Sequence, residues 1–453
     1  MKILVLNGSP SGQNSITLQT VEYIKILYPD HEYTTLHVGQ RIKVYEKDFS
    51  EARKALKEAE LIIFAYPVYT FLVPSQLHRF IELIKENGVS VAGKYATQIA
   101  TSKHFYDITA FRFIEDNCSD LGLNCLEGFS ADMEDLLTEK GQKEARDFFS
   151  FVLWNIEQGF SKKTGNTGAP VRFEPVIADM DSTYKTQSEF TVSLVTDFDP
   201  EHPDPALLAM IGRFKNSVSG ECRVFNLREL RIDGGCLGCF HCASNGECIY
   251  KDKFDKYLRD QIQKTGLIVY AFSIKDHSMG YRMKLYDDRQ FANGHRTVTM
   301  GQPVAYLVNG NLSEEQNLRT LMEARAQVGG NYLAGIATDE KDPDREIDQL
   351  VRTLEYAVMH NYQQPKNFYG TGGLKIFRDL IFQMQGMMRE DHRFYKKNGF
   401  YNDFPQKHRG RILAMYAVGA LMKNPRLMSK SKITMTDGML MPYRKVLEKA
   451  EGK

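Results

Sequence analysis

Lys2-Ile3-Leu4-Val5-Leu6-Asn7-Gly8-Ser9-Pro10-Ser11-Gly12-Gln13-Asn14-Ser15 opens the chain. An unbroken apolar run reads as a short buried strand over 2–7, Gly8 to Gly12 break it, and a helical pattern starts near Asn14 or Ser15. A strand, a tight loop and a helix in that order aim backbone N–H groups and the positive end of a helix dipole at one point, which suits an anion. Small residues let the backbone close around a phosphate. Ser9, Ser11 and Ser15 add hydroxyl donors and Asn14 an amide, with Gln13 beside it. A Walker A loop would need Gly-Lys-Ser/Thr here, so ATP is disfavoured.

Outward from this loop, helix and strand patterns alternate. A second strand is expected at 32–37, an amphipathic helix at 49–59 and a third strand at 61–65, and the segments 77–85, 96–101, 110–121 and 141–157 continue the series. Residues 1–160 therefore read as a doubly wound parallel α/β domain. Residues 161–187, rich in Gly, Thr, Ser, Lys and Pro, suit a linker. The pattern then restarts over 188–362, with strands expected at 190–195, 221–227, 267–272, 302–308 and 334–337 and helices at 205–217 and 344–361. The element order repeats, so the fold class is α/β, two tandem flavodoxin-like doubly wound parallel sheets. Residues 363–453 form a helical extension, with helices expected at 374–388 and 410–422. It is rich in Met and carries an excess of roughly ten positive charges. It reads either as Met-padded helices packed on their own domains or as a basic surface for a membrane or an acidic partner.

After the third strand comes Tyr66-Pro67-Val68-Tyr69-Thr70-Phe71-Leu72-Val73-Pro74-Ser75-Gln76-Leu77. In an open α/β sheet ligands bind at the carboxyl ends of the strands, where this loop meets the phosphate loop. Tyr69 and Phe71 offer flat walls to an isoalloxazine, and the turn after Pro67 is expected to expose N–H groups. Thr101-Ser102-Lys103-His104-Phe105-Tyr106 borders the same place. His104 and Tyr106 are candidate proton donors there, although loop residues near a site more often shape it.

Gly8-Ser9-Pro10 with Asn14-Ser15, together with Pro67-Val68-Tyr69 and Pro74-Ser75-Gln76-Leu77, resembles the NAD(P)H-dependent FMN reductase and iron–sulfur flavoprotein superfamily, of flavodoxin-like fold. The resemblance covers most of residues 1–160. It implies an FMN phosphate at Ser9, Ser11, Asn14 and Ser15, and a flavin ring near Pro67, Val68, Tyr69 and Phe71; Gln13, Thr70, Thr101 and Ser102, in the same loops, complete the expected cofactor-binding set. Gln13-Asn14-Ser15 stands where many members carry Gly-Asn-Thr, a mild departure.

The second unit carries Gly235-Cys236-Leu237-Gly238-Cys239-Phe240-His241-Cys242-Ala243-Ser244-Asn245-Gly246-Glu247-Cys248, a C-x2-C-x2-C-x5-C spacing. Thiolates so placed can wrap one compact 4Fe-4S cluster, with Cys236, Cys239, Cys242 and Cys248 as ligands. His241 leaves a zinc variant open, and an empty motif is the third reading. The resemblance strengthens the cluster, since iron–sulfur flavoproteins carry a compact Cys motif here, ahead of a helix like 252–264. Cys118, Cys125 and Cys222 sit in apolar patterns and read as buried thiols.

The two halves have complementary losses. Domain one has no cysteines at 36–48. Domain two has Thr196-Asp197-Phe198-Asp199 in place of the phosphate loop, where carboxylates would repel a phosphate, and Ser273-Ile274-Lys275-Asp276-His277-Ser278-Met279-Gly280 in place of the aromatic loop. The tandem thus reads as a fused pseudo-dimer in which FMN of one half faces the cluster of the other. The expected function is a flavin-dependent oxidoreductase, with ferredoxin or NAD(P)H as candidate donors. The alternatives are an NAD(P)H-dependent FMN or quinone reductase with an empty Cys motif, and a non-enzymatic electron carrier or adaptor. A homo-oligomer is compatible with the sequence.

With 453 residues, 42% hydrophobic, 25% charged and a net charge of +1, the chain carries no nucleic-acid footprint as a whole. Neither a targeting segment nor a membrane-spanning run is expected, and the cytoplasm is the default compartment. No Ser-His-Asp order, H-E-x-x-H or paired-carboxylate pattern points to hydrolysis.

Overall fold

Strand β1 (Lys2–Asn7) forms where the apolar run predicts it, and all its residues after Lys2 are buried. The computed structural model describes residues 1–104, 107–162, 173–181 and 184–422; Phe105, Tyr106, residues 163–172, Ser182, Thr183 and residues 423–453 lie outside this description. Around β1 the first sheet assembles from β2 (Glu32–Leu36), β3 (Leu61–Pro67), β4 (Tyr95–Ser102) and β5 (Asn124–Cys125), in the parallel order β2-β1-β3-β4-β5, with β6 (Phe129–Asp132) also paired to β4. Its helices are α1 (Ile16–Leu27), α2 (Val38–Tyr45), α3 (Ser50–Glu58), α4 (Ser75–Glu86), α5 (Asp107–Asp120) and α6 (Glu139–Gln158). Helix α2 was not expected. Its Val38, Gly39 and Tyr45 are buried while the rest is polar, too short an apolar stripe to show periodicity.

The second sheet contains β7 (Val192–Thr196), β8 (Cys222–Asn226), β9 (Ile268–Ser273), β10 (Pro303–Asn309) and β11 (Tyr332–Thr338), in the order β11-β10-β9-β7-β8. Read from the other edge this is the same 2-1-3-4-5 winding as the first sheet. Its helices are α7 (Pro205–Ser217), α8 (His241–Asn245), α9 (Phe254–Tyr257), α10 (Gly280–Arg289), α11 (Gln316–Gly329) and α12 (Pro343–Met359). The long helix expected at 252–264 is broken instead. After α9 the chain widens over Leu258–Ile262, and the Ile262 carbonyl accepts a hydrogen bond from Ser193 Oγ at 2.8 Å. Linker residues pack on this half: Val176 N–H donates to the Asp339 carbonyl at 2.9 Å, and Arg213 Nη1 to the Asp179 carbonyl at 2.8 Å.

Helix α4, after the third strand of one sheet, packs on α10, after the third strand of the other; α5 packs on α11 in the same way. Equivalent elements facing each other define a pseudo-two-fold, as in an isologous dimer. One hydrophobic cluster runs through it, joining Leu77, Phe80 and Phe113 to Tyr270, Phe272, Met283 and Tyr286. Ions cross it as well. Glu82 accepts from Tyr281 N–H at 2.9 Å and pairs with Arg79 and Lys275, at 2.9 and 3.1 Å.

Helix α13 (Phe368–Gln383) packs on α11, and α14 (Arg389–Lys397) follows. The described residues up to Arg393 form one unit and those from Phe394 on belong to another. Considered by itself, the second unit holds an aromatic group in which Tyr395 and Phe400 meet at 4.9 Å, and α15 (Arg409–Met422), on which Leu413 and Tyr416 are exposed. Among the described residues, no helix is long and apolar enough to cross a membrane.

Candidate functional site

The phosphate loop is held by Asn7, which is fully buried at the end of β1. Asn7 Nδ2 donates to the Gly12 carbonyl at 2.9 Å and its Oδ1 accepts from Ser9 N–H at 3.1 Å, so one side chain sets the curvature of the loop. Ser15 caps α1 by accepting from Leu18 N–H. Thr17, in the first turn of that helix, has a buried hydroxyl without a hydrogen-bond partner. An orphaned donor at a helix N-terminus fits a phosphate. Thr17 was missed from sequence because a Thr between apolar helix residues reads as filler.

The aromatic loop is a two-residue hairpin. Tyr69 and Leu72 exchange both backbone hydrogen bonds, at 2.8 and 3.0 Å, and the central Thr70 and Phe71 have φ of 46° and 66°. Left-handed backbone at a β-branched residue is strained, and such strain collects at functional sites. The amides of Val68, Tyr69 and Leu72 are bonded within the protein, Val68 to the Thr101 carbonyl at 3.1 Å. The donors expected just after Pro67 are therefore already engaged. The second half keeps this turn without its aromatics: Lys275 and Ser278 exchange the same two bonds, with Asp276 and His277 at φ of 53° and 58°. In place of its phosphate loop, burial pushes the Asp197 carboxyl up to about 6.

Two buried residues of α10 brace the aromatic loop from across the pseudo-two-fold. Lys284 Nζ donates to the Tyr69 carbonyl at 2.8 Å and pairs with Asp288, which in turn accepts from Ser75 N–H at 2.7 Å and so caps α4. His78, Glu82 and Asp276 bring three ligand-type atoms within 4.8 Å of one another nearby. The carboxylates there are already matched by Arg79, Lys275 and Lys85, so the trio is part of the interface ion network.

The cysteine loop reverses direction at Gly238 and Phe240, with φ of 63° and 57°. Any side chain at 238 would collide with the Tyr69 hydroxyl, so glycine is what lets the two loops touch. Gln76 Nε2 also donates to the Cys236 carbonyl at 3.4 Å. Gly238 N–H points at the Cys236 sulfur, 3.4 Å away, and Arg296 Nη1 donates to the Cys242 carbonyl at 3.3 Å. Burial pushes the Cys236 thiol far up and the Cys242 thiol up to about 11, so these sulfurs become thiolates only with a partner to neutralise them. Among the described residues no three of the four sulfurs lie within 4.8 Å of one another, whereas tetrahedral zinc would hold them about 3.8 Å apart. His241 turns its ring to Asn245, 3.2 Å away. An amide aimed at the Cys236 sulfur, buried thiols and a separation too wide for a single tetrahedral ion fit a metal group larger than one ion.

A single cavity of about 520 Å³ joins the two loops. Ser9, Ser11, Asn14, Ser15, Thr17, Pro67, Val68, Tyr69, Thr70, Phe71, Thr101 and Ser102 line it from one half, and Cys236, Cys239, Cys242 and Cys248 from the other. Gln13 does not line it; it is exposed, and its carbonyl accepts from Gln19. His104 is also outside the lining, half-exposed beside Asp107 and Asp135, and Tyr106 lies outside the described residues.

Residues 1–117 match the Flavodoxin_2 family model, described as a flavodoxin-like fold. The N-terminal half is flavodoxin-like. An iron–sulfur flavoprotein from Archaeoglobus fulgidus is 25% identical over 174 residues, which cover 36% of this chain and 79% of the relative. Among solved structures, an FMN-dependent NADH-azoreductase from Bacillus anthracis in complex with FMN is 13% identical, covers 33% of this chain and 98% of its own, and has a TM-score of 0.28. An NADH:FMN oxidoreductase (EMOB) in its apo form is 22% identical, covers 38% and 96%, and has a TM-score of 0.30. The flavodoxin-like winding recurs in the second sheet of this chain, beyond the matched residues.

Proposed function

We propose that this flavodoxin-like chain is an oxidoreductase that holds FMN in its first half and a 4Fe-4S cluster on Cys236, Cys239, Cys242 and Cys248 of its second, and passes electrons between them. The observation that carries the reading is the one cavity lined by both loops, with Tyr69 against Gly238. The similarity to an iron–sulfur flavoprotein supports it. When bound, the cluster supplies one-electron steps and the flavin exchanges one or two.

The protein residues then have definite tasks. Ser9, Ser11, Asn14, Ser15 and Thr17 ring the N-terminus of α1 and bind the phosphate with hydroxyl, amide and dipole. Tyr69 and Phe71 wall the ring. Burial and the neighbouring Cys236 raise the Tyr69 hydroxyl well above its ordinary pKa, so it stays protonated and neutral between the centres. NAD(P)H or ferredoxin would supply the electrons.

Flavin, iron and sulfide analysis of protein purified without oxygen tests the reading. We expect one FMN and four irons per chain, with iron lost and FMN kept on changing Cys239 and Cys242 to Ser. FMN without iron in the unaltered chain returns the alternative of a flavin reductase with an empty motif. Iron that survives the Cys changes would sink the ligand assignment.

A further inference from the structure

After α13 the chain turns back onto the loop that follows α10, and Asp391, fully buried, makes the contact. Its Oδ2 accepts from the His295 backbone N–H and from His295 Nδ1, both at 3.0 Å, and its Oδ1 from Arg296 Nη1 at 3.2 Å. The held loop is a wall of the cysteine cavity. Arg296 Nη1 donates to the Cys242 carbonyl at 3.3 Å, and Gly294 N–H folds back onto the Phe291 carbonyl at 2.7 Å. Glu390, the residue before Asp391, lies against Gly246 within the cysteine loop. Gly294 has φ of 62° and ψ of −140°, a conformation closed to L side chains, and any side chain there would strike the Asp391 carboxylate. A buried carboxylate is tolerated only where cations and donors match it, and here the match is with residues that touch a proposed ligand.

We propose that Asp391 is a positioning residue of the cysteine site: by clamping residues 294–296 it holds Arg296 on the Cys242 carbonyl and closes one side of the bound metal group. The helical segment beyond the second sheet thereby becomes part of the redox site. This rests on the cluster reading above. Groups one layer out from metal ligands commonly alter affinity by about 10- to 100-fold when changed.

The test uses the full chain purified without oxygen, as the unaltered protein, Asp391→Asn, Asp391→Ala and Gly294→Ala. Hydrogen exchange on the iron-free forms reports the clamp, and iron release to a chelator from the loaded forms reports its effect on the site. Retained FMN and circular dichroism report the fold; should Asp391→Ala not fold, the isosteric Asp391→Asn carries the measurement. We expect faster exchange in peptides covering 293–297 and 236–248, and iron released roughly tenfold faster, with FMN retained. Iron release unchanged in a loaded variant overturns the clamp, even if exchange rises around 386–393, because Asp391 would then only anchor the helical segment. An unaltered chain that takes up no iron overturns the cluster reading itself, and the proposal with it.

Discussion

Lys284 and Asp288 are 1% and 0% exposed, and Lys284 reaches the Tyr69 carbonyl while Asp288 caps α4. Changing Lys284 to Met strands a buried carboxylate, so we expect a loss of about 3–5 kcal/mol in urea unfolding. Adding Asp288→Asn, which keeps an acceptor for Ser75 N–H, should recover much of it; a double variant as unstable as the single would show that the charge is not the reason. Thr17 gives a second expectation at this scale. Thr17→Val should leave the melting temperature in place and weaken FMN binding by about five- to tenfold, as for one lost hydrogen bond, measured by fluorescence titration of the flavin-free chain. That Ser9, Ser11, Asn14, Ser15 and the four cysteines line the cavity was legible because their chemistry and spacing are local. Lys284, Asp288 and Asp391 were not, because each acts on a residue distant in sequence.

At the scale of elements, α10 shows why part of the fold could not be read. Gly-Tyr-Arg-Met-Lys-Leu-Tyr-Asp-Asp-Arg looks like a solvated segment, yet Lys284, Asp287, Asp288 and Arg289 are all buried in it. Its charges are matched by Tyr69, Ser75 and Asp252 on other elements, so apolar periodicity carries no signal. The strands were legible because each is a short apolar run bounded by turn residues. The hairpin retained in the second half has taken on a different task. Hydrogen bonds to Asp120 and Glu315 raise His277 to about 10; burial works against Asp120, but His277 and Lys85 hold it down to about 2. A raised histidine contributes stability that is full below its unfolded value near 6.5 and is lost as pH rises through about 10. His277→Asn, which tolerates the positive φ, should therefore destabilise the chain by about 1 kcal/mol at pH 6 and by almost nothing at pH 10.5, in denaturant titrations at both pH values. An equal loss at both would assign the effect to packing.

For the molecule as a whole, the tandem winding was legible from the repeated order of patterns, but the facing of α4 with α10 and α5 with α11 was not, since nothing in either repeat names its partner. Because one hydrophobic cluster crosses the pseudo-two-fold, we expect both sheets to unfold in a single calorimetric transition, with calorimetric and van 't Hoff enthalpies agreeing over that transition. Two resolved transitions, one per sheet, would contradict a shared core. The pairing of α4 with α10 has one more consequence. Two separate protomers meeting through such a face would part on dilution, and any site built across it would vanish with them. Here the peptide chain between the halves fixes their effective concentration, so the shared cavity persists however dilute the protein becomes, in a strict ratio of one half to the other.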